Sequence, residues 1–224
     1  VKRLVLKQKI ADARLYGILD MGYVEEGSIM KTAEALLQGG VDVLQFRAKS
    51  YGQAAVLALL EGEAKGLQSL CYDFGVPFVV NDFPHIAAEL KADGLHIGQD
   101  DGSLAAARDV VGADMLIGRS THSLEQAVMA KEEGFDYIGF GPLFPTPTKK
   151  GRPGIGLENV SKMQQQVGSV IPAFCIGGVI PDNLELVLAS GAHRVVIVSA
   201  LLKADNISQA TEAVKAVIQG DLST

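Results

Sequence analysis

Two hydrophobic patterns alternate along the whole chain. One is a short run of apolar, often β-branched residues. The other is a longer segment in which apolar positions recur every three to four residues. The short runs read as strands at 15–20 (LYGILD), 41–47 (VDVLQFR), 77–82 (PFVVND), 94–98 (GLHIG), 115–120 (MLIGRS), 137–141 (YIGFG), 173–177 (AFCIG) and 195–199 (VVIVS). Most are continuously apolar rather than alternating, which is how strands buried on both faces of a parallel sheet look. The longer segments read as helices at 29–38, 54–74, 85–90, 104–111, 124–133, 157–167, 181–189 and 207–219, with 54–74 the longest. Ser123, with Gln126 three residues on, is a helix-start signal. Gly39, Gly75, Gly134 and Gly191 stand where helices should stop.

The passages from helix to strand repeat a theme: GGVDVLQF, KADGLHIG, EGFDYIGF and SGAHRVVI. Each places a glycine, an acid or another polar residue just before an apolar strand. A βα unit of about 25 residues repeated eight times predicts a (β/α)8 TIM barrel in the α/β class. An open, doubly wound sheet is the alternative. No Pro/Ser-rich linker divides the chain, so residues 1–224 are expected to form one barrel domain. Residues 1–13 would be an N-terminal extension and 219–224 a frayed tail.

Composition narrows the function. The 224 residues suit a single barrel, and 48% hydrophobic with 21% charged residues is ordinary for a globular protein. The 26 acidic residues outnumber the 20 basic ones, and a net charge of −6 argues against a nonspecific nucleic-acid binder. Two cysteines, Cys71 and Cys175, are too few for a disulfide framework and suit a reducing, cytoplasmic setting. No apolar stretch approaches the roughly 20 residues of a membrane helix, and no signal peptide is expected.

A barrel enzyme works at the C-terminal ends of its strands. Polar residues gather at those ends here. Gln45, Arg47 and Lys49 alternate along the second strand and so share a face. Burying such a row calls for an anionic partner, either a ligand or an acid such as Asp82. Asp82 and Asp101 end the neighbouring third and fourth strands. They read either as helix or turn caps or as two ligands of one Mg²⁺, an ion that takes oxygen donors and keeps some water. Asp100 is an ambiguous neighbour. Gly177-Gly178 and Val198-Ser199 end the seventh and eighth strands, where barrels often bind phosphate through backbone N–H groups. The stretch PTPTKKGRPGIG, with Thr146, Thr148 and Lys149, reads as a closing loop or as a merely exposed one. His122 reads as an acid/base group or as a capping residue, and His96 as facing the barrel interior. A Ser120/His122 triad lacks an oxyanion hole.

QFRAK, VVND, HIGQDD, RSTHS, GFGPLFPTPTK, IGGV and VVIVS occur in that order, each at a strand end. Together, from about residue 15 to 202, they resemble the thiamine-phosphate synthase family. The resemblance implies a Mg²⁺-dependent joining of 4-amino-2-methyl-5-(diphosphooxymethyl)pyrimidine to 4-methyl-5-(2-phosphooxyethyl)thiazole. The products would be thiamine phosphate and pyrophosphate, formed by dissociative displacement. It implies that Gln45, Arg47, Lys49, Asn81, Ser120 and Lys149 hold the pyrimidine diphosphate, with Ser120, Lys149, Arg47 and Lys49 as catalytic groups. Thr146, Thr148, Gly178, Val198 and Ser199 would hold the thiazole phosphate, and Asp82 and Asp101 the Mg²⁺. The implied partners are two phosphorylated small molecules, with no nucleic acid and no membrane; a homo-oligomer stays open. Two positions depart from the family pattern: Ala48 stands where Glu is usual, and Phe83 where Arg is common. Asp100, where many members have Glu, is a milder change. The alternatives are a thiazole tautomerase of the same fold, working through His122, and a non-catalytic phosphate-binding barrel.

Overall fold

The computed structural model describes residues 2–146 and 153–220, apart from the side chains of residues 63 and 64. Eight parallel strands close into a barrel in sequence order. They are β1 (Leu15–Asp20), β2 (Val43–Arg47), β3 (Phe78–Asn81), β4 (Gly94–Ile97), β5 (Leu116–Thr121), β6 (Tyr137–Phe140), β7 (Ala173–Ile176) and β8 (Val195–Ile197). Closure comes from β1 pairing with β8, Leu15 opposite Val195. Around the barrel lie α2 (Ile29–Gln38), α3 (Gln53–Glu61), α4 (Leu67–Asp73), α5 (Pro84–Glu89), α6 (Leu104–Val111), α7 (Leu124–Glu133), α8 (Val160–Met163), α9 (Pro181–Ala189), α10 (Ser199–Leu202) and α11 (Ile207–Gln219), after α1 (Lys2–Asp12).

Every strand except β4 divides its residues between two cores. In β2, Leu44 and Phe46 face outward into the layer shared with the helices. Val43 faces inward, beside Tyr16, Val79, Leu116, Tyr137 and Phe174. Tyr137 fills so much of the barrel interior that its paired neighbour on β5 must be glycine. A Cβ on Gly118 would lie 2.2 Å from the Tyr137 ring.

The N-terminal extension is a helix that closes the bottom of the barrel. Leu6 and Ile10 of α1, one turn apart, are buried with the interior residues. Such burial stabilises by roughly 1.5–3 kcal/mol per side chain. Around this plug the repeated acid before the even strands has a structural job. Asp42 accepts the Leu15 N–H at 2.9 Å, Asp93 the Phe78 N–H at 3.1 Å and Asp136 the Ile117 N–H at 2.9 Å. Each carboxylate satisfies a backbone donor at the start of the strand before its own. The fourth repeat has Arg194 at this position, and its guanidinium instead donates to Ala11 O at 2.6 Å.

Two helices differ from the periodic reading. The segment 54–74 is not one helix: α3 stops at Gly62, a 3₁₀ turn covers Glu63–Gly66, and α4 follows. Two glycines within five residues weaken a continuous helix by about 1 kcal/mol each. Gly66 also sits close to Met30, whose Cε would be 2.8 Å from a Cβ there. The segment 157–167 is helical only from Val160, and it widens into a π turn over Gln164–Gly168.

Candidate active site

Above the aromatic floor the barrel opens into two adjoining cavities, with open volumes of about 650 and 560 Å³. Both fall in the size range of small-molecule sites. Ile18, Arg47, Ile176 and Val196 line both, so the two share a wall.

The first cavity takes its polar groups from β2 to β5. Gln45, Arg47 and Lys49 all reach it, because they occupy alternate positions of one strand and the chain just beyond it. Gln45 donates to the Tyr16 hydroxyl at 2.9 Å, and that hydroxyl lies 3.3 Å from the Tyr137 hydroxyl. Burial pushes both phenols well above their usual range. Asn81 and Ser120 line the same cavity, with Ser120 Oγ 3.0 Å from His96 Nε2. Ser120 thus pairs with His96 rather than with His122. The His122 ring also lines this cavity, its Nδ1 2.5 Å from Gly141 O.

Asp82 reaches the cavity through an uncommon backbone. Its φ is +68°, a left-handed conformation that aspartate tolerates better than most residues. This turn directs Phe83 onto the outer core while Asp82 lines the cavity. Asp101 folds back so that its Oδ2 accepts the Gly98 N–H at 2.7 Å. A Cβ at position 98 would come within 2.6 Å of that oxygen, so a larger residue there would displace the Asp101 carboxylate. The two carboxyl groups lie close enough to shift each other's ionisation. Lys49 Nζ stands between them, 3.1 Å from Asp82 and 3.7 Å from Asp101. Burial raises the Asp82 pKa, and the neighbouring Asp101 charge adds to this against the pull of Lys49. Asp101 is lowered: burial opposes ionisation, but bonds from Asp82, Gly98 and Lys49 outweigh it. Two acids this close need a proton or a cation between them. All-oxygen donors of this kind suit a hard ion such as Mg²⁺, which fills its remaining positions with water and phosphate oxygens. Among the described residues no group of three or more His, Cys, Asp or Glu side chains is placed to hold a metal ion, so a cation here would draw on two carboxylates and take its other oxygens from water and ligand.

The second cavity is formed by β1, β7, β8 and the start of the β6 loop. Thr146, Gly178, Val198 and Ser199 line it. Ser199 opens α10, whose first backbone N–H groups have no partner within the helix. Gly177 and Gly178 have φ of +96° and +66°, and their missing side chains make room for Pro142 and Phe144. Their glycine character is therefore already required by the crossing β6 loop. Thr148 and Lys149 lie outside the described residues, as does half of the expected closing loop. Asp100 is exposed.

Asp20 was not singled out by the sequence pattern. It ends β1, is almost fully buried, and binds Arg47 NH1 at 2.5 Å. The signal was its place at a strand's C-terminal end. Tyr16 and Tyr137 look like ordinary core residues in a sequence, and only the fold shows their hydroxyls meeting. Both departures from the family pattern point away from the cavities. Ala48 is buried in the outer core, and Phe83 packs on that core.

Comparison with known proteins agrees across the chain. The profile of the family described as thiamine monophosphate synthase matches residues 15–201. The thiamine-phosphate synthase of Thermus thermophilus is 42% identical over 199 residues, covering 89% of this chain and 93% of that one. That of Saccharopolyspora erythraea is 40% identical over 212 residues, covering 94% and 95%. The solved thiamine phosphate pyrophosphorylase of Pyrococcus furiosus superposes with a TM-score of 0.82 at 30% identity, covering 97% of this chain and all of that one. With its barrel, its strand-end motifs and these near-full-length relatives in agreement, the chain belongs to the thiamine monophosphate synthase family.

Proposed function

We propose that this thiamine-phosphate synthase divides its two substrates between the two cavities. The pyrimidine diphosphate would occupy the one lined by Gln45, Arg47, Lys49, Asn81 and Ser120, and the thiazole phosphate the one lined by Thr146, Gly178, Val198 and Ser199. The observation that carries this reading is the shared wall: two compartments suited to anions meet at Arg47. Each of two phosphorylated substrates would then have its own seat, with the reacting atoms near the junction.

The reaction breaks the bond between the pyrimidine's CH₂ and the diphosphate oxygen, and the electron pair leaves with pyrophosphate. The thiazole nitrogen then forms the new C–N bond. Arg47 and Lys49 bind and neutralise the departing anion. Asp82 and Asp101 would hold Mg²⁺, which when bound supplies further positive charge to the diphosphate. Gln45 and Ser120 would orient the aminopyrimidine, whose ring electrons carry the cationic CH₂. The Tyr16–Tyr137–Phe174 floor excludes water that would quench it. Lys149 and Thr148 would complete the two anion sites from the β6 loop. No strong base is required, which suits a site whose acids bind cations rather than remove protons.

The test is pyrophosphate release by purified protein given both substrates and Mg²⁺, with thiamine phosphate followed by its oxidised fluorescence. Product that vanishes when Mg²⁺ or either substrate is withheld supports the assignment. Turnover that persists without Mg²⁺ would remove the metal role from Asp82 and Asp101. Rearrangement of the thiazole alone would favour a tautomerase working through His122.

A further inference from the structure

Arg47 is the one cationic side chain among the described residues that lines both cavities. Left to itself, a guanidinium with five donors would accept a phosphate from either side. Asp20 breaks that symmetry. The two residues are register partners on β1 and β2. Asp20 Oδ2 accepts from Arg47 NH1 at 2.5 Å, and Oδ1 accepts from the Gly22 N–H at 3.0 Å. The second bond locks the carboxylate into a tight turn after β1, so it does not swing with a ligand. The Asp20 side chain is only 4% exposed, yet it belongs to the wall of the second cavity and not of the first. The carboxylate bonded to the guanidinium therefore stands on the second-cavity side, whereas the Asp82 carboxyl of the first cavity is paired with Lys49 instead.

We infer that Asp20 is a positioning residue that dedicates Arg47 to the diphosphate in the first cavity and keeps the thiazole phosphate off it. An anion arriving from the first cavity meets the free donors of a pre-oriented guanidinium. One in the second cavity meets Arg47 alongside the Asp20 charge, and is steered to the backbone N–H groups at Ser199 and to Thr146. The two phosphorylated substrates are thereby sorted without a physical partition. This inference rests on the substrate placement proposed above, and it names a residue to which that placement gives no part.

The experiment compares wild type with Asp20→Asn, which keeps the shape and an acceptor for Gly22 but removes the charge. In wild type, excess thiazole phosphate is expected not to compete with the pyrimidine diphosphate. In Asp20→Asn, excess thiazole phosphate is expected to become a competitive inhibitor against the pyrimidine diphosphate. The KM for that substrate rises about tenfold while kcat changes by less than about threefold. A purely structural role would lower active enzyme and kcat without creating competition between the substrates. Unchanged KM with no new inhibition in a folded Asp20→Asn protein overturns the inference. If that variant does not fold, wild type alone decides: competition already present there overturns the inference, and its absence supports it. A wild type that makes no thiamine phosphate at all refutes the substrate placement instead, so the two failures are distinct.

Discussion

Both ends of this barrel carry aspartates beside basic side chains, and the two sets behave in opposite ways. At the bottom, Asp136 is 1% exposed but meets Arg3 at 2.8 Å, Lys7 at 3.0 Å and the Ile117 N–H at 2.9 Å. Its donors outweigh burial and hold its pKa below the usual carboxylate range. At the top, Asp82 and Asp101 face each other with one lysine between them, and burial drives Asp82 upward. The bottom acid is saturated with hydrogen bonds and positive charge, so it contributes to the fold. The top pair is short of positive charge, and such a pair gains most from a cation. What separates the two sets is how far each carboxylate's demand for donors is met, not whether it is buried.

That contrast can be broken from either side. The largest effect is expected for Asp101→Ala: turnover falls by about 10³-fold, a size typical of losing transition-state charge stabilisation. The unfolding midpoint in urea should barely move. A variant that retains full Mg²⁺-dependent pyrophosphate release would remove Asp101 from the metal site. The reverse is expected for Asp136→Ala. Losing one partner of a buried ion network costs about 3 kcal/mol, read as a lower urea midpoint, with kcat unchanged. Leu6→Ala tests the plug that this network anchors and should cost roughly 2 kcal/mol, the low end for core truncations, again without a change in kcat.

The smallest effect sharpens the comparison through pH. The Asp136 pKa is lower folded than unfolded, so its stabilisation is complete above the ordinary carboxylate pKa of about 4. It is lost as pH falls through the depressed folded value. Stability of wild type and Asp136→Asn, measured by denaturation from neutral pH downward, should therefore differ at neutrality and converge in acid. A gap that stays constant would show that Asp136 acts through packing alone.

The barrel was legible because its strands are buried on both faces and so appear as unbroken apolar runs. The β1 reading, 15–20, matches the strand to the residue. The convergence of Gln45, Arg47 and Lys49 was legible for the same kind of reason, since a period of two fixes the face. Other features depend on contacts between distant residues, and no local pattern carries those. Asp20 looks like the last residue of a strand until Arg47, 27 positions away, is placed opposite it. The break at Gly62 was written in the sequence, but apolar periodicity on both sides hid it. Asp42, Asp93 and Asp136 were visible as a repeat, but that they satisfy the preceding odd strand could not be read without the sheet order.

The plug helix has a consequence for how the molecule is made. Arg3 of α1 bonds to Asp136, and the helix's last turn receives Arg194 through Ala11 O. Those partners lie 133 and 183 residues downstream. At typical synthesis rates of ~5–20 residues per second, α1 leaves the ribosome roughly ten seconds or more before its last partner exists. Its apolar face, Leu6 and Ile10, waits in water until β8 arrives to close the ring. The α1 segment is thus made well before the partners that seat it, and it is a place where a nascent chain of this protein needs protection.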